Sequence, residues 1–356
     1  MERWAFFGAE DELTPIARLI MIEDIAGLDA TLGRDWKLDQ PFDFTGHFCI
    51  DLAISLALIE NKQHVIDYLI GTGANLNVEG SPAITFAVRN SDIATIEKLI
   101  AAGARIDSVN NVGGNAYSCA LYSERFDLLP FLQGKGLRVD ADGGKSFRQA
   151  VYSRQREAVE FFLKAGIDPD LRCPDQVFPY SPTAVQVAAE NDDVDMVRLL
   201  VDHGADITLT DHNGVRPFLA AVFNRNVTLQ SYLRPLEPGA WHDPQRKIAW
   251  LKSCNVTPDL IAFLQHENRR LHVNSNECTW IEFHELLNVH ELTWPGGPYL
   301  AIVAGVDDSC ACKTLVWSTR KRRLAIVDQE DDQVTMLGTW ADFVADPASQ
   351  IARQWA

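Results

Sequence analysis

No run of 18 uninterrupted apolar residues occurs in this sequence; even the apolar stretch 50–59 is broken by Asp51 and Ser55. A helix that crosses a bilayer needs about 20 mainly apolar residues, so no membrane span is expected. The opening Met1-Glu2-Arg3-Trp4 has no apolar run before the acids Glu10, Asp11 and Glu12, and does not read as a secretory signal. Cysteine is sparse and odd in number, seven scattered over 356 residues. That is not the pattern of a disulfide-stapled secreted domain, and the expected compartment is the cytoplasm. Basic residues are in deficit, 32 against 49 acidic, for a formal charge of −17. Such a surface repels phosphate backbones and steers basic partners toward it, so direct nucleic-acid binding is not expected.

Catalytic signatures are missing as well. There is no Gly-x-Ser-x-Gly elbow and no Gly-x-Gly-x-x-Gly loop. Gly143-Gly144-Lys145-Ser146 resembles the end of a phosphate loop, but Val139 stands where that loop needs another glycine. A finger turn between repeats is the expected explanation of these glycines. His284-Glu285 is followed by His290, a spacing of six, where a zinc-binding helix needs four to put both imidazoles on one face. Partly buried histidines are expected instead. Cys310 and Cys312 in Asp307-Asp308-Ser309-Cys310-Ala311-Cys312 would share a strand face, yet no second ligand pair accompanies them. A loop with small buried thiols is the simpler reading. Arg320-Lys321-Arg322-Arg323 sits between strand-like segments and reads as a solvated hairpin turn. No catalytic residue, cofactor or metal is expected, and the chain does not read as an enzyme.

What the sequence does have is a period. Glycines follow apolar helix-like runs at Gly73, Gly103, Gly136, Gly166 and Gly204. Seven residues before each stand Ile66, Ile96, Leu129, Val159 and Val197; four before stand Leu69, Leu99, Leu132, Phe162 and Leu200; sixteen before stand Ala57, Ala87, Ala120, Ala150 and Ala188. The first two sets share one helical face and predict a buried stripe. The glycine ends that helix in a left-handed conformation. The alanine belongs to the preceding helix and lets neighbouring helices approach closely. Each unit is a helix pair that cannot bury its apolar face alone, so the units stack into a solenoid.

Gly73-Ala74-Asn75-Leu76-Asn77, Gly103-Ala104-Arg105-Ile106-Asp107 and Gly204-Ala205-Asp206-Ile207-Thr208 carry the resemblance to the ankyrin repeat family, with Asp211-His212-Asn213-Gly214 similar to its finger turn. The family's Thr-Pro-Leu-His opening is degenerate here, as Ser81-Pro82-Ala83-Ile84 and Arg216-Pro217-Phe218-Leu219, and the middle repeats lack it. The resemblance covers about residues 45–235. Residues 1–44 read as an N-terminal capping helix pair with Leu13, Ile16, Leu19 and Ile20 on its apolar side.

After Leu236-Glu237-Pro238-Gly239 the period stops and tryptophans become frequent. Residues 258–268 predict a helix, 299–303, 314–318 and 323–328 predict strands, and 339–345 predict a closing helix capped by Thr339, with Trp340, Phe343 and Val344 toward the sheet. The expected architecture is multidomain α and α+β: a solenoid over 1–240 and a small α+β domain over 241–356. Pro258-Asp259-Leu260-Ile261-Ala262-Phe263-Leu264, Ile281-Glu282-Phe283-His284-Glu285-Leu286-Leu287 and Thr339-Trp340-Ala341-Asp342-Phe343-Val344 make the second part resemble the SUKH superfamily of bacterial immunity proteins, although Asn268-Arg269 replaces its usual Asn-Gly.

The repeat template places two residues per unit on the binding side: Ile59/Glu60, Arg89/Asn90, Tyr122/Ser123, Tyr152/Ser153, Glu190/Asn191 and Phe223/Asn224. Tyr122, Tyr152 and Phe223 form an aromatic series that either anchors a partner or packs on its own fingers. The long interval before Gly204 adds about five residues over the ankyrin norm near Phe178 and Tyr180, a contact element or a mere length variation. The expected partner-binding set is Glu60, Arg89, Tyr122, Tyr152, Phe178, Tyr180, Glu190, Asn191, Phe223 and Asn224, with Glu60 and Glu190 as steering charges. Residues 1–240 carry 21 basic against 34 acidic residues, and 241–356 carry 11 against 15. The resemblances imply an immunity protein, monomeric or in a 1:1 complex, that sterically inhibits a cognate secreted toxin acting on nucleic acid or nucleotides. The alternative is a cytoplasmic ankyrin adaptor with no toxin partner.

Overall fold

A computed structural model describes residues 14–41, 52–172, 174, 177–273, 278–306, 313–328 and 331–352. Leu13, Cys173 and the segment 307–312 with its two cysteines lie outside them. The chain forms two compact units, Met1–Asp168 and Pro169–Ala356.

The first unit is helical. A pair α1 (Pro15–Met21) and α2 (Ile25–Thr31) opens it, followed by α3 (Ala53–Ile59), α4 (Gln63–Gly71), α5 (Ala83–Asn90), α6 (Ile93–Ala101), α7 (Ala116–Tyr122), α8 (Leu128–Gly134), the single turn α9 (Val139–Asp142), α10 (Gly144–Tyr152) and α11 (Arg156–Lys164). Ile16 and Ile20 of α1 are buried as the sequence predicts, and α1 packs on α3. The first helices of successive pairs then pack in series, α3 on α5, α5 on α7 and α7 on α10. The template explains why. Ala57, Ala87, Ala120 and Ala150 are fully buried where these helices meet, and so are the stripe residues Ile66, Leu69, Ile96, Leu99, Leu129, Leu132, Val159 and Phe162. The four template glycines of this unit, Gly73, Gly103, Gly136 and Gly166, adopt φ between +86° and +104°, the left-handed region that a side chain enters at a cost.

One glycine pair has a different reason from the one expected. Gly143 and Gly144 form no finger turn: α10 begins at Gly144, and Gly143 has φ −86°. A Cβ on Gly143 would lie 2.4 Å from the Val139 carbonyl oxygen, so close backbone packing of α9 against α10 selects glycine there. Lys145 donates to the Val112 carbonyl at 3.0 Å, and the Ser146 and Ser118 hydroxyls are 2.9 Å apart.

The second unit begins with two further helix pairs, α12 (Ala184–Glu190) with α13 (Val194–Asp202) and α14 (Pro217–Phe223) with α15 (Val227–Leu233). Ala188, Val197 and Leu200 are fully buried and Gly204 has φ +92°, so the template holds here too. Two helices, α16 (Pro244–Ser253) and α17 (Pro258–Leu264), lead into the strands. These are β1 (Arg270–His272), β2 (Trp280–Phe283), β3 (His290–Trp294), β4 (Gly297–Ala301), β5 (Val303–Val306), β6 (Lys313–Ser318), β7 (Arg323–Asp328) and β8 (Gln333–Met336); α18 (Trp340–Ala345) and α19 (Pro347–Ala352) follow. Antiparallel pairing gives a three-stranded sheet β1-β2-β5 and a five-stranded sheet β3-β4-β6-β7-β8.

Alternation along the strands divides the apolar residues between two faces. Leu300, Leu315, Trp317, Leu324 and Ile326 join Leu260, Ile261, Leu264, Phe283, Trp340 and Phe343 in the main core. Tyr299, Val316, Ala325 and Val327 join Leu292 in a smaller cluster. Thr339 caps α18 with a reciprocal capping box to Asp342. Val344, expected to face the sheet, is exposed instead, one residue around the helix from the buried Phe343.

Leu236-Glu237-Pro238-Gly239, where the period ends, is not a slack connection. Glu237 is buried and takes the Arg216 guanidinium in a two-pronged pair at 2.5 and 3.2 Å, with His242 Nε2 2.9 Å from its second oxygen. Breaking such a buried pair leaves an uncompensated charge, so this acid fixes the start of α14 against the turn preceding α16.

A candidate protein-binding surface

The residues expected to meet a partner sit where the first helix of each pair stops. Ile59, Tyr122, Tyr152, Glu190 and Phe223 are the last residues of α3, α7, α10, α12 and α14. Glu60, Ser123, Ser153, Asn191 and Asn224 are their C-caps. The next residue in each case is left-handed without being glycine: Asn61, Glu124, Arg154, Asp192 and Arg225 have φ between +53° and +57°. This bend reverses the chain and presents the helix end, and no glycine signal marked it in the sequence.

In the first unit these ends are open. Tyr122 is 76% exposed and Tyr152 49% exposed. The Arg89 guanidinium of α5 lies over the Tyr122 ring of α7, 4.2 Å from its centroid. That contact crosses from one repeat to the next, and it holds an aromatic face and a cation together at the surface. Tyr122 and Tyr152 are thus both accessible at the surface. Glu60 is half-buried, and desolvation raises its carboxyl above the usual range, partly offset by Lys62.

In the second unit the corresponding ends carry contacts within the fold, although Phe223 keeps 39% of its surface exposed. The Phe223 ring stacks on His284 at 5.0 Å with an 18° interplanar angle and lies 6.0 Å from His290, so it packs on the residue after β2 and the first residue of β3. Both imidazoles are buried, and desolvation lowers them to about 3 and about 4, so they are neutral partners for an aromatic ring. Phe178 does not fit the anchor role assigned to it: only 4% of it is exposed, and its ring packs edge-on to Tyr180 at 6.1 Å. Tyr180 itself donates its hydroxyl to Glu190 at 3.1 Å. Burial raises the Glu190 carboxyl to about 7, with nearby Asp211 adding to the shift and the tyrosine opposing it. Glu190 is therefore a hydrogen-bond acceptor inside the fold, not the steering charge expected. Asn224 donates to the Glu190 carbonyl oxygen at 2.7 Å, and half-buried Asn191 caps the same helix.

Of the ten expected residues, then, Arg89 and Tyr122 meet across two successive repeats, and Tyr152 is accessible at the end of the first helix of the next. Phe178, Tyr180, Glu190 and Phe223 are drawn into internal contacts. Among the described residues no group of three or more His, Cys, Asp or Glu side chains is arranged to hold a metal ion, and no helix is long and apolar enough to cross a membrane.

Comparison with known proteins agrees with the repeat geometry. Residues 147–243 match the family model for ankyrin repeats in three copies. A stretch of 110 residues, 30% of the chain, is 28% identical to the ankyrin repeat domain-containing protein SAT10 of Stachybotrys chartarum, and covers 6% of that protein's length. The human ASB11 ankyrin repeat domain is similar over 58% of this chain and 90% of its own, with 15% identity and a TM-score of 0.44. The left-handed glycines, the buried alanines and the paired short helices are the working parts of that repeat, and the chain carries ankyrin repeats, a fold whose business is protein–protein interaction.

Proposed function

We propose that this chain is an immunity protein, a stoichiometric inhibitor that binds a secreted bacterial toxin and covers its active site without any turnover of its own. The observation that carries the reading is the exposed row Arg89, Tyr122 and Tyr152 at the open helix ends of an acidic repeat array. Aromatic side chains bury much area at small entropic cost and dominate interface energies when water is excluded around them. The surplus of acids favours a basic toxin face, as expected of enzymes that act on nucleic acids or nucleotides. The resemblance of 241–356 to the SUKH superfamily supports immunity as the biological setting, in the cytoplasm and as a 1:1 complex.

The test is survival of cells that make the toxin encoded beside this chain, with the chain supplied intact or as the double variant Tyr122→Ala, Tyr152→Ala. Protection by the intact chain and its loss in a variant with unchanged melting supports the reading. Equal protection by both moves the inhibitory surface elsewhere. If the intact chain neither protects nor binds that toxin, it is an adaptor for another protein.

A further inference from the structure

Inside the second unit, a cavity of about 540 Å³ opens between the finger 210–216, the start of α16 and strand β3. Nothing in the repeat pattern calls for it, and it is independent of the toxin-binding reading. Its size falls in the range of small-molecule sites. Two indoles, Trp241 and Trp250, stand in its wall, and the Arg216 guanidinium lies over one face of Trp241, 4.9 Å from its centroid. Three cations line it: Arg216, Arg246 and Lys247.

Lys247 is the telling residue. Its ammonium donates to the Val289 carbonyl and lies over the Trp250 ring, 4.1 Å from the centroid. Among the described residues it has no salt bridge to a carboxylate, and Glu291 attracts it only through space. Arg216 is already committed to Glu237, and it still repels Lys247 through space. Desolvating an ammonium and placing a second cation near it is costly unless an anion shares the site. Arg246 stands at the rim with its side chain mostly exposed, and its nearest carboxylate, Asp243, is 3.7 Å away. Glu291 and Asp211 also line the cavity, so it is not a bare cationic patch that would take any phosphate. Its acceptors suit the edge donors of a heteroaromatic ring, and its indoles suit the ring's face.

We propose that this cavity binds a small planar aromatic anion, its carboxylate or phosphate on Lys247 and Arg246 and its ring against Trp241 and Trp250. Two sources share that chemistry, nucleoside monophosphates and aromatic carboxylates. The ligand would fix α16 against the finger and so stiffen the joint that Glu237 already holds.

Titration of Lys247 adds a signature. Desolvation lowers it to about 8, with Arg216 acting in the same direction and Cys254 and Glu291 opposing; buried neutral His290, Asp211 and the rim cation Arg246 complete its charged and titratable surroundings. The ammonium form prevails below that value, so anion affinity should fall as pH rises from 7 to 9.

The experiment follows indole fluorescence of the full chain during titration with AMP, with indole-3-acetate and with adenosine as the uncharged control. Saturable quenching by either anion, at least tenfold tighter than adenosine and weakening by several-fold between pH 7 and 9, is the expected result. Preference for AMP or for the carboxylate names the source. Lys247→Met should cost about tenfold and abolish the pH dependence, and the exposed Arg246→Gln should weaken binding by several-fold while leaving the melting temperature unchanged. Failure of both anions to saturate at millimolar concentration, or equal binding of AMP and adenosine, would overturn the proposal. So would anion binding that neither variant weakens. Toxin protection by these variants should match the intact chain, which separates this site from the recognition surface.

Discussion

Gly214 is the position where one methyl group should do most damage. It sits in the finger at φ +75°, and a Cβ built on it would lie 1.8 Å from the Glu291 carbonyl oxygen of β3. Two costs add in Gly214→Ala. The left-handed backbone alone costs about 1–2 kcal/mol for a residue with a Cβ. The clash is with backbone, which cannot swing aside as a side-chain tip can, and forced displacement of packed structure costs about 1–3 kcal/mol more. Gly204→Ala is the internal control. It has φ +92° but nothing within 4 Å of its Cβ, so it should show the backbone cost only. Urea denaturation followed by tryptophan fluorescence reports on the second unit, where Trp317 is fully buried. Gly214→Ala should destabilise that unit by roughly 1–3 kcal/mol more than Gly204→Ala does. Equal losses for the two variants would mean that the finger does not press on β3, and the joint between the last repeats and the sheet would have to be withdrawn.

Further outcomes follow from the same packing. Ala120→Leu or Ala150→Leu should overpack the contacts between successive first helices and cost about 1–3 kcal/mol in thermal or urea melts; an unchanged midpoint would contradict the template. Glu124→Gly should stabilise the first unit by about 0.5–1 kcal/mol, because Glu124 holds φ +54° on an exposed turn, and a loss of stability would show that its side chain matters more than its backbone. The pH profile of the second unit should carry two opposed slopes. His284 and His290 have folded values below the unfolded one, so their contribution is present above about pH 6.5 and is lost as pH falls toward 4. Glu190 and Asp211 have folded values raised to about 7 and about 6, so theirs is present below the unfolded carboxylate range and is lost as pH rises through those values. Glu190→Gln should therefore make stability rise more steeply between pH 4.5 and 7, as read from melting temperatures; a flatter profile would refute the assignment.

The repeat was legible because it rests on local chemistry. A left-handed glycine, an alanine at a helix crossing and an i, i+3 stripe each depend on a few neighbours in sequence, and all fifteen template positions are placed as the spacing predicts. Strand β7 was legible for the same reason, a β-branched run between turns, whereas α16 was missed: its Pro244-Gln245-Arg246-Lys247 start is polar, and only Leu251 is buried within it. The site was less legible. Phe178 and Phe223 look identical to Tyr122 and Tyr152 as aromatic residues at helix ends or fingers. What separates them is a ring partner that periodicity does not encode, the near neighbour Tyr180 for Phe178 and the distant His284 for Phe223. Glu190 and Glu237 read as ordinary surface acids because their counterparts, Tyr180 and Arg216, come from other parts of the fold.

That difference also narrows where recognition can occur. The template offers a helix end at every repeat, and a partner reading the whole array would have found aromatics at Tyr122, Tyr152 and Phe223 alike. Stacking on His284 covers one face of the last ring, which still keeps 39% of its surface exposed. An interface gains most from anchors whose burial occurs only on binding; a ring already packed has little area left to contribute. Tyr122 differs again, because Arg89 covers one face of its ring and leaves it 76% exposed. The guanidinium limits the rotamers the ring samples before binding, which lowers the entropy lost on docking. Within the first unit the strongest anchors are therefore expected at the ends of α5, α7 and α10. Arg89→Ala tests it: dissociation should speed even if the arginine touches no partner atom, because Tyr122 loses its support. Arg89→Lys should restore little, since an ammonium cannot stack flat on the ring. If both variants release a bound protein no faster than the intact chain, the row is not the anchor, and the weight of recognition lies on the fingers.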